Sequence, residues 1–451
     1  MNATRETLQG WGRVRSSDAL VYRPSCTAEI QDLVRQSSIQ GLIARGLGRS
    51  YGDPAQCAGG AVVNLASFNT IAIDATAGTV TAGGGSSLDS VLRQIVPAGF
   101  FLPVTPGTRN VTVAGAIAAD VHGKNHHVDG SFGSHVRQLR LIDGDANLLT
   151  LRPDDPDPLR QQAFWATVGG MGLTGVIVEA CFELIPISSS LISVDTDRFR
   201  DLDTLMAAMV EADHRYRYSV AWVDSLDPRG RGVLTCGDHA SVDQLSADQR
   251  QDSLSYDSRA LAGAPPFLPG GLLNNWTVRA FNEAWYRKAP QHRQAELQAI
   301  APYFHPLDGV SDWNRIYGPA GFLQYQFAVP DRGSHLVART LETLRRVGAP
   351  SFLTVLKRFG SGNAGPLSFP TPGWTLAADV PAAIDGLLPA LDGLDQEVAA
   401  AGGRLYLAKD ARQSATMLQR TYPRLEEWRR QRLRLDPRGV FGSDMSRRLG
   451  L

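Results

Sequence analysis

The chain has 451 residues, 43% of them hydrophobic and 20% charged, with 45 basic against 45 acidic side chains. This length predicts two or three domains, and the apolar content and balanced charge exclude a disordered chain. A zero formal charge offers no field to attract nucleic acid. No stretch approaches the ~18 uninterrupted apolar residues of a membrane helix. Because the N-terminus lacks the apolar core of a signal peptide, we expect a cytoplasmic protein or one peripheral at the inner membrane, with the periplasmic face of the envelope as the alternative.

In chain order, the first third predicts strands that alternate with helices and glycine-rich turns. Helices are predicted over residues 27–38 and 87–96. Strands are predicted over 42–44, 61–65 and 176–184, with hairpins over 70–82 and over 139–151.

The pattern of the sequence changes at residues 186–190, and this change predicts a domain boundary. Beyond it, helices are predicted over 207–214, 334–347, 382–401 and 422–435, and strands over 219–224, 321–329, 351–359 and 374–380. Residues 239–271 are polar and then rich in proline and glycine, with little periodicity. Such a stretch is typical of a mobile functional loop or a disordered segment.

Two residue types are informative because they are scarce. The four cysteines match no metal or redox spacing, so we interpret Cys26, Cys57, Cys181 and Cys236 as free thiols. Only four of the 45 basic residues are lysines, namely Lys124, Lys288, Lys357 and Lys409. A lysine ammonium is compact and its pKa moves on burial, whereas arginine is a wide fork that stays charged. The lysines therefore mark positions where arginine cannot substitute, unless a codon bias has left them at random.

Glycine-rich loops crowd the first third, where 21 of the 45 glycines lie between Gly41 and Gly175. Three loops, over 45–53, 106–115 and 169–175, can bring bare backbone close to a phosphate. No segment supplies a nicotinamide fingerprint or a Walker phosphate loop. The loops therefore indicate a flavin dinucleotide held by a fold other than the Rossmann fold.

The segments RGLGRSYGD, PGTRNVTVAGAIAADVHGKNHH and FWATVGGMGLTG resemble the PCMH-type FAD-binding domain of the vanillyl-alcohol-oxidase family. The resemblance is strongest to the flavin oxidases that form the oxidising subunit of decaprenylphosphoryl-β-D-ribose 2-epimerase, in mycobacterial and actinobacterial cell-wall synthesis. It continues through WNRIYGPAGFLQYQF, PLSFPTPGW, GGRLYLAKDAR and DPRGVFGSDMSRRL, and so runs nearly end to end.

The resemblance implies an α+β fold. A two-subdomain FAD-binding domain is split between residues 1–187 and 404–451, and a substrate domain over 188–403 has an antiparallel sheet flanked by helices. It implies oxidation of the ribose 2′-hydroxyl of polyprenylphosphoryl-β-D-ribose to a 2′-keto sugar, the first half of epimerisation to the arabinose donor of cell-wall arabinan. A separate NAD(P)H-dependent short-chain reductase would complete the epimerisation. An alditol- or lactone-type flavin oxidase acting on a free soluble sugar, and a non-catalytic flavin-bound docking subunit, remain alternatives.

The resemblance also implies a set of FAD contacts. They are Ala44, Arg45, Gly46, Leu47, Gly48, Arg49, Ser50, Tyr51, Gly52, Asp53, Pro54, Gly107, Thr112, Val113, Ala114, Gly115, Ala119, Asp120, Val121, His122, Ile177 and Tyr406. Arg49 stands where many relatives carry the histidine that tethers the flavin, which implies non-covalent FAD.

On the substrate side, the resemblance implies Tyr51, His122, Lys124, Gln326, Lys357 and Lys409, which include three of the four lysines. Lys409 is the first candidate for the base that takes the hydroxyl proton or for the group that polarises the hydroxyl, and a structural ion pair with Asp410 is the alternative. His122 is a second candidate for the base, or positions flavin and substrate.

The remaining substrate-side residues have binding roles. Lys124 and Lys357 suit a phosphodiester, since lysine binds phosphate as a point charge. Tyr51 and Gln326 can hydrogen-bond sugar hydroxyls. Trp222, Phe304 and Phe359 would form an apolar wall, or would be ordinary core aromatics.

Three positions depart from the pattern of the related oxidases. Thr375 and Ala377 replace an asparagine and a cysteine that face the flavin, and Phe304 replaces a tyrosine. Because side chains alternate along a strand, Thr375 and Ala377 should share one face. His122, His126 and His127 lie close together in sequence, but no acidic partner has ligand spacing, so we predict no metal site.

A polyprenyl tail has to reach a membrane, and residues 239–271 are the natural lid or docking surface. Residues 421–451 carry eight arginines against four acids, which suits an anionic leaflet or simply a solvated helix face. We therefore expect peripheral contact with a membrane.

Overall fold

The computed structural model of the chain describes residues 2–37, 40–265 and 267–451. Over these residues, three main sheets are packed with helices in an α+β fold, which confirms the predicted fold class. The strands are β1 (Ala3–Gln9), β2 (Ser16–Tyr22), β3 (Leu42–Arg45), β4 (Ala61–Asn64), β5 (Ile71–Asp74), β6 (Thr79–Gly83), β7 (Phe100–Phe101), β8 (Val136–Ile142), β9 (Leu148–Leu151), β10 (Val176–Glu183), β11 (Ile185–Pro186), β12 (Leu191–Phe199), β13 (Tyr218–Val223), β14 (Gly232–His239), β15 (Ala262–Gly263), β16 (His292–Ala299), β17 (Val310–Ser311), β18 (Phe322–Val329), β19 (Thr354–Phe359), β20 (Gly373–Pro381) and β21 (Arg404–Leu405).

The helices lie between and around these sheets. They are α1 (Thr27–Gln36), α2 (Leu88–Ile95), α3 (Val113–Ala118), α4 (His126–Asp129), α5 (Pro158–Thr167), α6 (Leu202–Ala212), α7 (Ala247–Gln251), α8 (Asn275–Lys288), α9 (Ile300–Phe304), α10 (His335–Arg346), α11 (Leu387–Ala400), α12 (Ala415–Thr421), α13 (Leu425–Leu435) and α14 (Asp444–Leu449). Within the described ranges, no helix has both the length and the apolar character needed to cross a membrane.

The first sheet has the order β1-β2-β4-β3, with β4 parallel to both of its neighbours. The C-terminal segment returns to this sheet, because the Leu42 N–H donates to the Val440 carbonyl at 2.8 Å. Trp428 of α13 is fully buried, and its indole N–H donates to the Ala166 carbonyl on α5 at 3.0 Å. The two ends of the chain therefore share one core.

The second sheet is antiparallel, in the order β5-β6-β10-β8-β9. The Ser87 hydroxyl caps the start of helix α2 by accepting from the Ser90 N–H. Val91 and Leu92 of α2, with Ile117 of α3, pack into the core that this sheet buries.

The third sheet, in the order β16-β12-β14-β13-β19-β20-β18-β21, is antiparallel throughout. Helices α6, α10 and α11 cover one face, where they pack on alternate strand residues such as Leu356, Leu376 and Ala378. The residues between these point to the opposite face and line a cavity.

Most predicted elements agree with the structure in type, and the differences have local causes. Helix α1 ends at Gln36, and the predicted end at Ser38 lies outside the described residues. Helix α6 begins at Leu202, earlier than predicted, because the Asp201 carboxylate caps it by accepting from the Thr204 N–H.

Residues 239–271, predicted to lack regular structure, contain α7 and the short strand β15; residue 266 lies outside the described residues. Helix α7 is held by a capping box in which Ser246 and Gln249 bond each other's backbone N–H groups. That pattern was readable in the sequence, so the expectation for this part of the stretch was wrong.

The first predicted domain junction falls at a change of sheet, and the second lies two residues before one. Residue 187 lies between β11, which pairs with β7, and β12, which belongs to the third sheet. Residue 404 begins β21, the edge strand that pairs with β18, after which the chain returns to the first sheet. We retain the division at these junctions as a proposal.

Candidate active site

A cavity of about 1190 Å³ extends from the glycine-rich loops to the third sheet. Sites for one small molecule usually occupy about 300–1,000 Å³, so this cavity can hold a large cofactor together with a substrate. We call the part lined by residues from the segments 44–55, 105–115 and 171–177 the loop end. The part lined by Lys124, Lys357 and Lys409 is the lysine end.

At the loop end, close packing excludes side chains and leaves the backbone bare. A Cβ on Gly46 would lie 2.3 Å from the Thr112 Oγ1, which itself accepts from the Gly115 N–H at 3.1 Å to cap α3. Gly48 has a φ of +64°, a conformation that other residues rarely adopt. A Cβ on Gly107 would meet no protein atom within 4 Å, so this backbone borders open cavity. Bare backbone on facing loops fits a phosphate-bearing dinucleotide.

Most of the predicted FAD contacts line this cavity. They are Ala44, Gly46, Leu47, Gly48, Arg49, Ser50, Tyr51, Pro54, Gly107, Thr112, Ala114, Gly115, Ala119, Val121, His122, Ile177 and Tyr406. Five others, Arg45, Gly52, Asp53, Val113 and Asp120, lie outside the lining of the cavity, and their contact with the cofactor stays a prediction.

These five positions support the loops from behind. Asp53 pairs with Arg448 at 2.7 Å, so it ties the first loop to the C-terminal helix α14. Arg45 donates to the carbonyls of Gln9 and Ala55, at 2.7 and 2.9 Å.

The remaining three are packed inside the protein. The Asp120 carboxylate accepts from the Ser131 hydroxyl and from the Gly133 N–H, each at 2.9 Å. Gly52 packs against the Asp410 carbonyl, and Val113 belongs to the core of the second sheet.

Lys409 lies just after β21, half-buried at the lysine end, and its ammonium is 3.8 Å from the centre of the Tyr51 ring. Burial lowers the pKa of Lys409, the nearby Asp379 carboxylate opposes that shift, and the Lys357 ammonium adds to it. A lysine in this setting can lose its proton near neutral pH.

The alternative role for Lys409, an ion pair with Asp410, is not what the structure has. The Asp410 carboxylate instead binds the Arg448 guanidinium at 2.9 Å and accepts from the backbone N–H groups of Arg412 and Gln413. Lys409 therefore points into the cavity while its neighbour in sequence points away.

A buried polar network behind Lys409 was missed by sequence reasoning. The Gln324 amide donates to the Tyr51 hydroxyl at 3.2 Å and to one oxygen of the Asp379 carboxylate. The other oxygen of Asp379 has no hydrogen-bond partner among the described residues, and burial raises the pKa of this carboxyl. The sequence contained a signal for this network, because side chains two residues apart on a strand lie on the same face. Gln324 is two residues before Gln326, and Asp379 is two residues after Ala377.

His122 is held by Gln326, whose amide nitrogen lies 3.0 Å from the His122 Nε2 and 3.2 Å from the Thr375 Oγ1. Burial, and then the Lys357 charge, lower the pKa of His122 well below its usual value. The imidazole is therefore neutral, and its Nε2 accepts the amide proton.

Lys124 and Lys357 complete the charged set. The Lys124 ammonium donates to the Tyr303 carbonyl at 2.5 Å and lies 3.9 Å from the centre of that ring. Burial lowers the pKa of Lys357 to about 8, and burial with the Lys357 charge lowers the pKa of Lys124 to about 7. Three ammonium groups in one enclosed space disfavour one another's charge, and a bound anion would relieve that cost.

The predicted apolar wall is present in part. Trp222 and Phe304 line the cavity, as do Thr375 and Ala377 on the same face of β20. Phe359 does not line it, which corrects the prediction, because its ring packs behind the His122 imidazole at 4.7 Å between centres.

The other two histidines of the sequence cluster around His122 make contacts within the protein. His126 lies against Phe359 at 4.4 Å between ring centres, and the His127 Nε2 is 2.9 Å from the Tyr216 carbonyl oxygen. Over the described ranges, no three His, Cys, Asp or Glu side chains cluster as metal ligands.

Comparisons with known proteins fit this geometry. A family model described as an FAD binding domain matches residues 19–152, and one described as D-arabinono-1,4-lactone oxidase matches residues 392–449. The chain is 43% identical to decaprenylphosphoryl-beta-D-ribose oxidase from Mycolicibacterium smegmatis, over 99% of this chain and 98% of that protein. It is 25% identical to alditol oxidase from a Streptomyces species, over 97% of each chain, and 23% identical to L-gulono-1,4-lactone dehydrogenase from Mycobacterium tuberculosis, over 95% of each.

The fold, the loop end and these matches together define an FAD-dependent oxidoreductase with a PCMH-type FAD-binding domain, acting on CH–OH groups. The predicted cofactor and enzyme class are thereby confirmed. Within this class, the chain belongs to the decaprenylphosphoryl-β-D-ribose oxidase family.

Proposed function

We propose that this protein oxidises the ribose 2′-hydroxyl of a polyprenylphosphoryl-β-D-ribose to the 2′-keto sugar. The observation that carries the proposal is the convergence of three of the four lysines on one end of a cavity whose other end fits FAD. A phosphodiester supplies a negative charge to the half-buried ammonium groups of Lys124 and Lys357, and an uncharged polyol does not. The name of the Mycolicibacterium smegmatis relative supports the same substrate.

When bound, FAD accepts a hydride from the carbon that carries the alcohol. Lys409 takes the hydroxyl proton, because its lowered pKa leaves neutral amine available near neutral pH. His122 is the weaker candidate for the base, because the lone pair of its Nε2 already accepts from Gln326.

The other residues of the lysine end bind and orient the substrate. Lys124 and Lys357 hold the phosphodiester by charge, and Tyr51 and Gln326 hold ribose hydroxyls by hydrogen bonds. The apolar wall beside them excludes water from the reacting carbon, so proton transfer goes to the protein.

The product is a keto sugar, and conversion to the arabinose epimer requires its reduction from the other face of the ring. Because this sequence contains no nicotinamide fingerprint, we assign that step to a separate NAD(P)H-dependent short-chain reductase.

The test is anaerobic mixing of the FAD-loaded protein with a panel of sugars, followed by flavin absorbance. We expect a short-chain polyprenylphosphoryl ribose to bleach the flavin, and free ribose, alditols and aldonolactones to leave it yellow. Equal bleaching by a free alditol or lactone would indicate the soluble-sugar oxidase instead. A flavin that no member of the panel bleaches would indicate a docking subunit without turnover.

A further inference from the structure

One segment leaves large apolar side chains almost entirely in water. Residues 260–278 contain no charged side chain. Within this stretch, Leu261 is 93% exposed, Phe267 is 91% exposed and Trp276 is 84% exposed. Single exposed apolar residues are ordinary on protein surfaces, but several in one uncharged segment mark a surface that another body covers.

Helix α8 extends this surface. Val278 and Asn282, one turn apart, form its buried side. On the adjacent side Phe281 and Trp285 are each 43% exposed, and their rings stack at 6.0 Å between centres. Phe281 also packs against Phe352, at 5.5 Å between ring centres. The helix therefore leaves most of Trp276 and part of the Phe281 and Trp285 rings exposed to solvent.

The charges around this helix are mostly positive. Residues 275–293 contain four basic side chains (Arg279, Arg287, Lys288 and Arg293) against one acid, Glu283. Glu283 is engaged by Arg231 at 2.6 Å and by Arg287. Exposed aromatic rings flanked by basic residues are typical of a helix that lies in the interface of an anionic bilayer.

This surface is continuous with the cavity. Trp285 and Lys288 of α8 line the cavity as well as the exposed side of the helix, and Ala260 at the start of the uncharged segment also lines it. A body that covers the surface would therefore lie at an opening of the active site.

The arginine-rich C-terminal segment is organised differently, although its composition also suggested lipid contact. Six of its eight arginines bind acceptors within the protein: Arg424, Arg429, Arg432, Arg438, Arg447 and Arg448. These arginines therefore stabilise the fold. Among its described residues, the C-terminal segment has no group of exposed aromatic rings like the one on residues 260–285.

We propose that the uncharged segment and α8 form a docking face for an anionic phospholipid bilayer. The docking face consists of Leu261, Phe267, Leu272, Trp276, Phe281 and Trp285, with Arg279, Arg287 and Lys288. Its rings enter the interface, and its basic residues attract lipid phosphates. The opening of the cavity is thereby held at the membrane surface. The benefit to catalysis rests on the proposed function, since a lipid-linked ribose can then enter the cavity while its prenyl tail stays in the bilayer.

The first test is flotation of the FAD-loaded protein with vesicles of phosphatidylcholine and phosphatidylglycerol, compared with phosphatidylcholine alone. We expect binding to the anionic vesicles, and a loss of at least about tenfold in the variant Leu261→Ser/Phe267→Ser/Trp276→Ser. The matched control is Leu159→Ser/Leu433→Ser, which removes two apolar side chains that are 51% and 64% exposed on α5 and α13. The control should bind as the wild type does. Equal binding by the triple variant would overturn the proposal.

The second test separates docking from damage to the site. The triple variant should oxidise a water-soluble short-chain substrate at the wild-type rate and lose activity toward a long-chain substrate presented in vesicles. Equal losses on both substrates would overturn the proposal. The proposal would also be overturned if the wild type were a dimer, and if the triple variant were a monomer whose vesicle binding is unchanged. Flotation needs no substrate, so failure of the ribose substrate to bleach the flavin would remove the proposed function and leave the docking result standing.

Discussion

The two ends of the cavity are built in different ways. At the loop end, contiguous stretches of chain present bare backbone, and their shape follows from glycines that no other residue can replace without a clash, such as Gly46 against Thr112. At the lysine end, single side chains come from separate strands and are brought together by register. Lys357 pairs with Thr375 across β19 and β20, and Gln326 pairs with Ala377 across β18 and β20.

This difference separates holding the cofactor from performing the chemistry. A substitution at the loop end should change how much FAD is bound, and a substitution at the lysine end should change what the bound flavin does. Five experiments challenge that separation, in order of decreasing effect.

The largest effect is complete release of the flavin on denaturation. The Arg49 guanidinium lies 4.1 Å from the centre of the Trp11 ring, at the position where a tethering histidine would stand. An arginine there leaves FAD bound by non-covalent contacts alone. Acid precipitation should therefore leave all the flavin in the supernatant, as measured by absorbance. Flavin that stays with the pellet would contradict this prediction.

The next effect is on rate. Lys409→Met should keep the flavin and slow its anaerobic reduction by at least ~100-fold, the scale expected for loss of a general base. Stopped-flow absorbance measures the rate, and the flavin-to-protein ratio and a thermal melt serve as controls. Normal reduction by a well-folded variant would move the base to His122.

At the loop end, Gly46→Ala should lower FAD affinity by about tenfold or more, because overpacking a tight site typically costs about 1–3 kcal/mol. The added Cβ would lie 2.3 Å from the Thr112 Oγ1 that caps α3. Gly393→Ala on α11 is the matched control, since its Cβ meets no atom within 4 Å. Titration of apoprotein with FAD gives both affinities, and equal affinities would contradict the difference between the two ends.

A smaller effect concerns pH. The Asp379 carboxylate raises the pKa of Lys409, so Asp379→Asn should lower that pKa. The rate of flavin reduction rises as Lys409 loses its proton, and this rise should move to lower pH by about one unit. A merely structural role for Asp379 would reduce the rate without moving the profile. An unchanged profile, or a shift to higher pH, would contradict the prediction.

The smallest effect on rate is expected from Ala377→Cys, which adds one sulfur and no charge. The new thiol faces the cavity beside the lysine end and should capture an electrophile that binds there, while sugar oxidation continues near the wild-type rate. The wild type should bind the same electrophile reversibly, since no cysteine is among the described residues that line the cavity. Mass spectrometry after denaturation decides between them. An adduct on a native cysteine that tracks loss of activity would show that the pocket is misplaced.

The same contrast explains how much could be predicted from the sequence. The loops are contiguous, so their glycines and their polar neighbours stand side by side along the chain and can be recognised there. The scarcity of lysine pointed to Lys124, Lys357 and Lys409, which do converge on the cavity, whereas Lys288 lies at its edge on α8. Alternation along a strand placed Thr375 and Ala377 on one face.

The parts of the site that could not be predicted depend on strand register and on the residues that lie behind the side chains lining the cavity. Nothing in the sequence aligns β18 with β20, so the contact of Gln324 with Asp379 could not be deduced from spacing alone. Phe359 is two residues after Lys357 on β19, so alternation assigns both to the same face of the strand. Phe359 nevertheless lies beyond the cavity and packs against His122. Asp53 and Asp120 stand inside the predicted motifs, yet they bond other protein groups and do not line the cavity.

The position from which hydrogen is removed gives the sharpest test of the proposed reaction. In anaerobic single turnovers, the FAD-loaded protein would be mixed with short-chain polyprenylphosphoryl ribose deuterated either at C2′ or at C3′. We predict that deuterium at C2′ slows flavin bleaching several-fold and that deuterium at C3′ leaves the rate unchanged. Slowing by the C3′ label alone, or bleaching that is fast with both labels, would contradict oxidation at the 2′-hydroxyl.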